Sequence, residues 1–442
     1  MKKELIISYE DDASKIALIE DGRLFELHEI QQNTDFVVGD IFVGKIKKLA
    51  PNLNAAFVNI GYEKDAFLHY QDLGPQYLTY RKFLQDTVSK RQQTSSLKNF
   101  QIQPEIDKHG TVDKVMAPQD EVLLQITKEP ISTKGPRIST QISLTGRFLV
   151  LIPFDNKVSI SKKVKSAEEK ARLKTLIESI KPEGFGVIIR TVAEGKKVAE
   201  LHNDMNQLVD KWNVCFKNIQ KNKTPAKVLS EEDKASAILR DNFNQDFVSI
   251  ICDDEQMVND MKNYLEVIAP ERKNIVQFYD SHIPLLEYYN VEKQLKQSFG
   301  KHVNIPSSKG AYLVIEHTEA LHVVDVNSGN NISSGTANKE HALNVNKMAA
   351  TEIARQLRLR DMGGIIVVDF IDMPNPDHRK ELYEHLREEM KRDKAKHKIL
   401  PPSKFGLIQI TRQRVRPEKQ IDTKEENPNK DGEILAPIFV VE

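Results

Sequence analysis

Cysteine is almost missing from this chain: Cys215 and Cys252 are the only two among 442 residues, and they form no CxxC pair. That excludes a disulfide framework and fits a reducing compartment. Long apolar runs are missing as well. No stretch approaches the roughly 18 apolar residues that a membrane helix needs, and Met1–Ser8 is too short an apolar start for a signal peptide. The expectation is a soluble, cytoplasmic protein without a membrane span. An excess of either charge is absent too, with 64 Lys and Arg against 64 Asp and Glu, so net charge alone does not advertise a polyanionic partner. Nor is there a phosphate-binding P-loop: Gly329 to Thr336 is polar and Gly-bounded but lacks Lys. Asp325-Val-Asn-Ser-Gly329 hints at a calcium loop, yet its Gly falls one place early and Thr336 stands where the closing Glu belongs. No HExxH spacing follows His378.

What is present is organised around 321–373, two apolar strands joined by a long amphipathic helix. In Leu321-His-Val-Val-Asp-Val-Asn327, side-chain alternation puts Leu321, Val323, Asp325 and Asn327 on one face. A helix follows from His341 to Arg360, with Leu343, Ala350, Ile353, Ala354 and Leu357 as its apolar stripe and Gly363-Gly364 as its stop. The second strand, Ile365 to Asp372, is apolar enough to be buried, yet it carries Asp369 and Asp372, and buried carboxylates need a partner or a metal. Two readings fit. Asp325 and Asp369 meet at neighbouring strand ends and hold a hard divalent cation, for which one or two carboxylates suffice; or each acid ends its strand by capping a turn. From Lys391 to Glu418 there are nine Lys or Arg against two acids. Such clustering is either a solvated face or, beside an acid site, a phosphate-binding surface.

At these residues the chain resembles the ribonuclease E/G family. The resemblance is carried by Val324-Asp-Val-Asn-Ser-Gly329, by the run from Ala354 through Arg-Leu-Arg-Asp-Met-Gly-Gly to Met373, and by Phe405-Gly-Leu-Ile-Gln-Ile-Thr-Arg-Gln-Arg-Val-Arg-Pro417. It covers roughly residues 1–426 outside an insertion. It implies a magnesium-dependent endoribonuclease that cuts single-stranded RNA and leaves a 5′-phosphate and a 3′-hydroxyl. Processing of ribosomal and transfer RNA and decay of messenger RNA are the implied settings. By the same resemblance Asp325 and Asp369 are the Mg2+ ligands, and Asn327 orients the attacking water or the acids.

The implied fold is an α/β (α+β) multidomain chain. Residues 1–34 and 226–300 would form a ribonuclease-H-like structural subdomain. Residues 35–128 would form an S1-like barrel of the OB class, with a polar insertion near 75–118 expected to be mobile, or helical through Tyr77 to Lys90. Phe57 and Phe67 match positions that stack RNA bases, although phenylalanines in short strands are more often core. Residues 129–225 would be a 5′-sensor, where Gly146 and Val150 line a pocket and Arg190 and Thr191 hold a terminal monophosphate; Arg suits this because its planar fork donates two parallel hydrogen bonds. Lys134 and Lys162 match RNA-contacting positions, the latter where some relatives place Arg. Trp212 is read as packing. Residues 301–416 would be a DNase-I-like catalytic subdomain. There Glu381 to Lys396 reads as a basic helix, with Lys396 close to the active site and Arg412, Arg414 and Arg416 lining an RNA groove.

Residues 417–442 depart from the pattern. Family members carry Cys-Pro-x-Cys-x-Gly here and share one zinc between two subunits; this chain has Asn427-Pro-Asn-Lys-Asp-Gly432. Neither Asn nor Lys replaces a thiolate at a structural zinc, so that zinc is not expected, and a homodimer or higher oligomer would form without it. The chain ends at Glu442, where the family continues into a dimerisation domain. Two rival functions stay open: an RNA-binding protein that lost activity, and a scaffold of an RNA-processing assembly.

Overall fold

The computed structural model describes residues 2–10, 13–31, 36–130, 135–231, 234–329, 337–414, 416, 418–421 and 439–440. Lys134 and the stretch 427–432 lie outside the described residues. The chain is a mixed α/β protein of two compact units, residues 1–32 with 244–442 and residues 33–243.

The unit internal to the sequence, 33–243 (inner in chain order only), begins with a closed barrel. Strands Ile41–Ala50, Ala55–Asn59, Ala66–His69, Arg137–Ser139 and Glu121–Lys128 are neighbours in that order, and pairing of 41–50 with 121–128 closes the ring. Its interior is Ile46, Ala56, Val58, Ala66, Leu68, Leu124 and Ile126, the alternate residues of each strand. A four-stranded sheet of the same unit, in the order 158–160, 185–189, 149–153, 144–145, is packed with the helix Val198–Lys221. The segment 75–118 is not a loose loop. Tyr77–Val88 is a helix, Leu97, Val112 and Met116 are buried, and the Trp212 indole donates to the Ser95 carbonyl at 2.9 Å. Enough apolar side chains are spaced through this polar text to anchor it. Residues 226–243 also belong here rather than with 244–300: strand Ala226–Leu229 pairs with Ile41–Val43.

The unit of residues 1–32 with 244–442 holds two large sheets among the described residues, besides a short pairing of 420–421 with 439–440. The first has the order 276–278, 247–252, 3–10, 13–20, 23–31, so the N-terminal hairpins find a distant partner in Phe247–Cys252, as their brevity requires. The second is six-stranded and mixed, in the order 302–304, 312–317, 321–327, 364–369, 408–412, 397–399. Helices Ala337–Leu359 and Pro376–Met390 pack on it through Val345, Ala349, Ile353, Leu382 and Leu386. The longer helix also reaches the first sheet: buried Glu352 pairs with Arg355 at 2.6 Å and with Arg23 at 2.5 Å, and Arg355 donates to the Leu24 carbonyl.

That helix ends at Leu359, one residue short of the expected Arg360. Asp361 takes the left-handed conformation (φ 56°), and the Met362 N–H reaches back to the Leu357 carbonyl at 3.1 Å, the Schellman arrangement. Asp tolerates this backbone better than most residues, and its carboxylate is held by Arg416 and Lys419 at 3.3 and 3.0 Å. Among the described residues, no helix is long and apolar enough to cross a membrane.

Candidate active site

Strands Leu321–Asn327 and Gly364–Asp369 run parallel, and their register sets Asp325 directly beside Asp369. Alternation decides which side chains emerge. Val324, Val326, Ile366 and Val368 enter the core under the helices, so Asp325, Asn327 and Asp369 are turned to the other face. The Asn327 amide donates to Asp325 Oδ2 at 2.7 Å and fixes that carboxylate. Just beyond, Gly329 (φ 61°) lets the chain turn away, and a Cβ there would stand 2.2 Å from the Gly310 carbonyl oxygen.

On the neighbouring strand the exit from Asp369 is also pinned. Asn346, fully buried on the helix, donates to the Ile371 carbonyl at 2.8 Å and accepts from the Ile371 N–H at 3.0 Å. The following residue is Asp372. Burial and the neighbouring charges of Asp325 and Asp372 push the Asp369 carboxyl above its ordinary range. Together Asp325, Asn327, Ser328, Asp369, Asp372 and Phe405 line an open cleft of about 440 Å³. Phe405 is 87% exposed. An adjoining cleft of about 550 Å³ is lined by Arg379, Lys380 and Lys404. Crowded acids with a basic groove alongside suit a divalent cation and a phosphodiester.

The ribonuclease E/G family model matches residues 143–415. Ribonuclease E of Nostoc sp. strain PCC 7120 is 35% identical over 418 residues, 94% of this chain and 56% of that protein. Ribonuclease G of Haemophilus influenzae is 33% identical over 93% of this chain and 80% of its own length. Ribonuclease G of Escherichia coli K12 is 31% identical over 94% and 81%. The chain belongs to the ribonuclease E/G family. It spans about half the length of the first of these relatives and four-fifths of the other two.

Within this ribonuclease E/G chain, the residues nominated from sequence fare unequally. Arg412 does not face a groove: it is 5% exposed, clamped to Asp393 through Nε and Nη2 at 2.6 and 3.1 Å, and donates to the Met362 carbonyl. A buried arginine so paired is unavailable to RNA. Arg416 is tied to Asp361. Arg414 is exposed and its stem crosses Gly363, where a Cβ would come within 2.6 Å. Lys396 is exposed but stands in the loop after Pro376–Met390, because the helix expected to reach it ends at Met390. Lys380, Lys404 and Phe405, which line these clefts, and Asn346, which pins Ile371, were not singled out as site residues from sequence, and Asp372 was noted there only as an acid needing a partner or a metal. Asn346 had left a signal, a polar residue three positions after Leu343 on the apolar stripe.

In the inner unit, Phe57 and Phe67 are cross-strand partners on the barrel's outer face. Both are half-buried, their rings meet edge to face at 5.8 Å, and the Lys48 ammonium lies 4.8 Å over Phe57. Neither is part of the barrel interior. Gly146 and Arg190 are brought together: Arg190 Nη1 donates to the Gly146 carbonyl at 2.7 Å. Gly146 is needed because the Asp204 carboxylate would be 2.7 Å from a Cβ. Asp204 accepts the N–H groups of Arg147, Phe148 and Leu149, and burial pushes its pKa up. Val150 pairs with Ile188 on the strand that leads to Arg190, while half-buried Thr191 opens the next turn. Lys162 is exposed, two residues past the strand paired with this one.

Proposed function

We propose that this protein is a magnesium-dependent endoribonuclease that cuts single-stranded RNA, leaving 5′-phosphate and 3′-hydroxyl ends. The observation that carries the reading is the register match of Asp325 with Asp369, one oriented by Asn327 and the other crowded by Asp372, in a cleft open to a long substrate. Asp325 and Asp369 would hold the ion, since like charges this close are relieved by a divalent cation. When bound, magnesium supplies charge stabilisation at the scissile phosphate and lowers the pKa of the attacking water. Asn327 keeps the Asp325 carboxylate in one orientation. Lys380, Lys404 and Arg379 would bind backbone phosphates beside the cut, and Phe405 would stack a base.

In the inner unit, Phe57 and Phe67 would form a base-stacking patch with Lys48 at its edge. Arg190, anchored on Gly146, would hold a 5′-monophosphate with Thr191. Such capture raises the rate on monophosphorylated RNA by binding and orientation rather than by different chemistry. The two cysteines are free and buried, and burial pushes both thiols up to about 12, which suits a reducing cytoplasm.

One short unstructured RNA, carrying either a 5′-monophosphate or a 5′-hydroxyl, tests the reading. Incubation with magnesium should give internal cuts with 5′-phosphate ends, abolished by EDTA and faster on the monophosphorylated substrate. RNA that is bound but intact in every condition would favour a non-catalytic RNA-binding protein.

A further inference from the structure

We propose that His317, His322 and Glu418 form a second metal site, specific for a borderline transition ion such as zinc and separate from the acid cleft. His317 and His322 face each other across the hairpin of strands Tyr312–His317 and Leu321–Asn327, as register partners. Glu418 arrives about a hundred residues later, from the segment beyond strand Ile408–Arg412. One ligand atom from each of the three can be chosen so that all lie within 4.8 Å of one another.

The hydrogen bonding assigns the donor atoms. His322 Nε2 lies 3.1 Å from the Gly363 carbonyl oxygen, which can only accept, so that nitrogen carries the proton. Its Nδ1 lone pair then points into the cluster, 2.8 Å from Nδ1 of His317. A backbone carbonyl that fixes the distal ring nitrogen is the usual outer support of a metal-binding histidine. Glu418 Oε1 lies 3.3 Å from His317 Nδ1 and is shielded from solvent, yet it has no hydrogen-bond partner among the described residues. Its Oε2 lies 3.4 Å from His322 Nε2. Two imidazoles and one carboxylate make a three-ligand set that zinc accepts, with a fourth position left for solvent. With Zn–N bonds of about 2.0–2.1 Å in a tetrahedral site, the two Nδ1 atoms need to part by about half an ångström.

The site cannot share the ion of the acid cleft. His322 is three residues before Asp325 and points to the opposite face of the same strand, roughly 10 Å along it. Magnesium prefers oxygen ligands, and a pair of imidazoles selects against it. An ion here would tie the segment after the last long strand of the sheet to the hairpin that carries Asp325. Its role is structural, holding Glu418 against the hairpin rather than cutting RNA.

The test uses the full chain, stripped with chelator, dialysed and titrated with zinc by calorimetry, with bound metal counted by mass spectrometry. One zinc per chain is expected, along with a melting temperature raised by zinc. Cobalt(II) should give the visible absorption of a four-coordinate site. Binding should weaken at least about 100-fold in His317→Ala and in Glu418→Gln, and persist in the Asp325→Asn/Asp369→Asn double variant. His317 is on the surface, so its replacement leaves the core intact, and equal melting of His317→Ala and the parent in EDTA would confirm that. No stoichiometric zinc, or zinc lost with the two aspartates and retained without His317, would overturn the proposal.

Discussion

Asp325 and Asp369 occupy matched positions on two parallel strands, and the residues that flank each of them are buried on the far side of the sheet. The pair is therefore placed by the same valines and isoleucines that stabilise the sheet. The backbone positions of both acids are thus set by the core before any ligand arrives, and Asn327 orients the Asp325 carboxylate.

Asn327 binds no substrate in this account and orients Asp325. Asn327→Ala removes a charge-assisted hydrogen bond of about 1.5–3 kcal/mol, so kcat should fall by roughly 10–100-fold. KM for a short RNA should change little. Steady-state kinetics on a fluorogenic oligonucleotide separates the two, and a rise in KM alone would show that Asn327 contacts RNA instead.

Phe405 stands exposed at the mouth of the acid cleft with little of its ring packed. Phe405→Ala should leave the urea midpoint unchanged, because truncation of an exposed ring alters stability by less than about 0.5 kcal/mol. RNA affinity should fall by the equivalent of about 1–3 kcal/mol, one base stack. Unchanged affinity would reduce the ring to an incidental surface residue.

Arg412 and Lys404 should behave oppositely. Arg412→Ala leaves Asp393 buried and unpaired, a loss of about 3–5 kcal/mol in chemical denaturation. Lys404→Ala should spare stability while lowering the slope of log affinity against log salt by about 0.7. Destabilisation by the Lys404 change, or a salt-slope effect from a stably folded Arg412 variant, would reverse the assignment of groove and core.

His28 links stability to pH. Burial, together with Arg416 and Lys419, brings its pKa from 6.5 down to about 4, against the pull of Glu26. The unfolded chain takes up a proton near 6.5 that the folded chain refuses until about 4. Stability is thus intact above pH 6.5 and declines as pH falls towards 4, by up to about 3 kcal/mol from this group. His28→Gln should flatten that part of the curve in urea melts between pH 7 and 4.5. An unaltered curve would assign the pH dependence to the carboxylates alone.

The two acid strands and the amphipathic helix between them were legible because alternation and helical spacing are local, and each repeats over several turns or pairs. Four of the five barrel strands were legible for the same reason, whereas Arg137–Ser139 fell in the stretch 129–225 assigned to the 5′-sensor. The role of each cation was not. Nine Lys and Arg in 28 residues look alike in sequence, while strand register buries Arg412 against Asp393 and leaves Lys404 in the open. In the segment 75–118 the helix expected through Tyr77 to Lys90 is present as Tyr77–Val88, but the rest showed no pattern because its anchors, Leu97, Val112 and Met116, are far apart and find partners only across the fold. The pairing of 226–229 with 41–43 is likewise a long-range contact that no local pattern announces.

The most direct test of the account is the single-turnover cleavage rate as a function of magnesium concentration for the parent chain, Asp325→Asn and Asp369→Asn, with RNA affinity measured in parallel. The parent rate should rise and saturate with magnesium. Each variant should bind RNA within a few-fold of the parent and cut at least about 100-fold more slowly, since losing a cation-holding carboxylate removes several kcal/mol of transition-state stabilisation. Variants that fold, bind and cut at the parental rate would contradict the assignment of these two carboxylates as the catalytic centre.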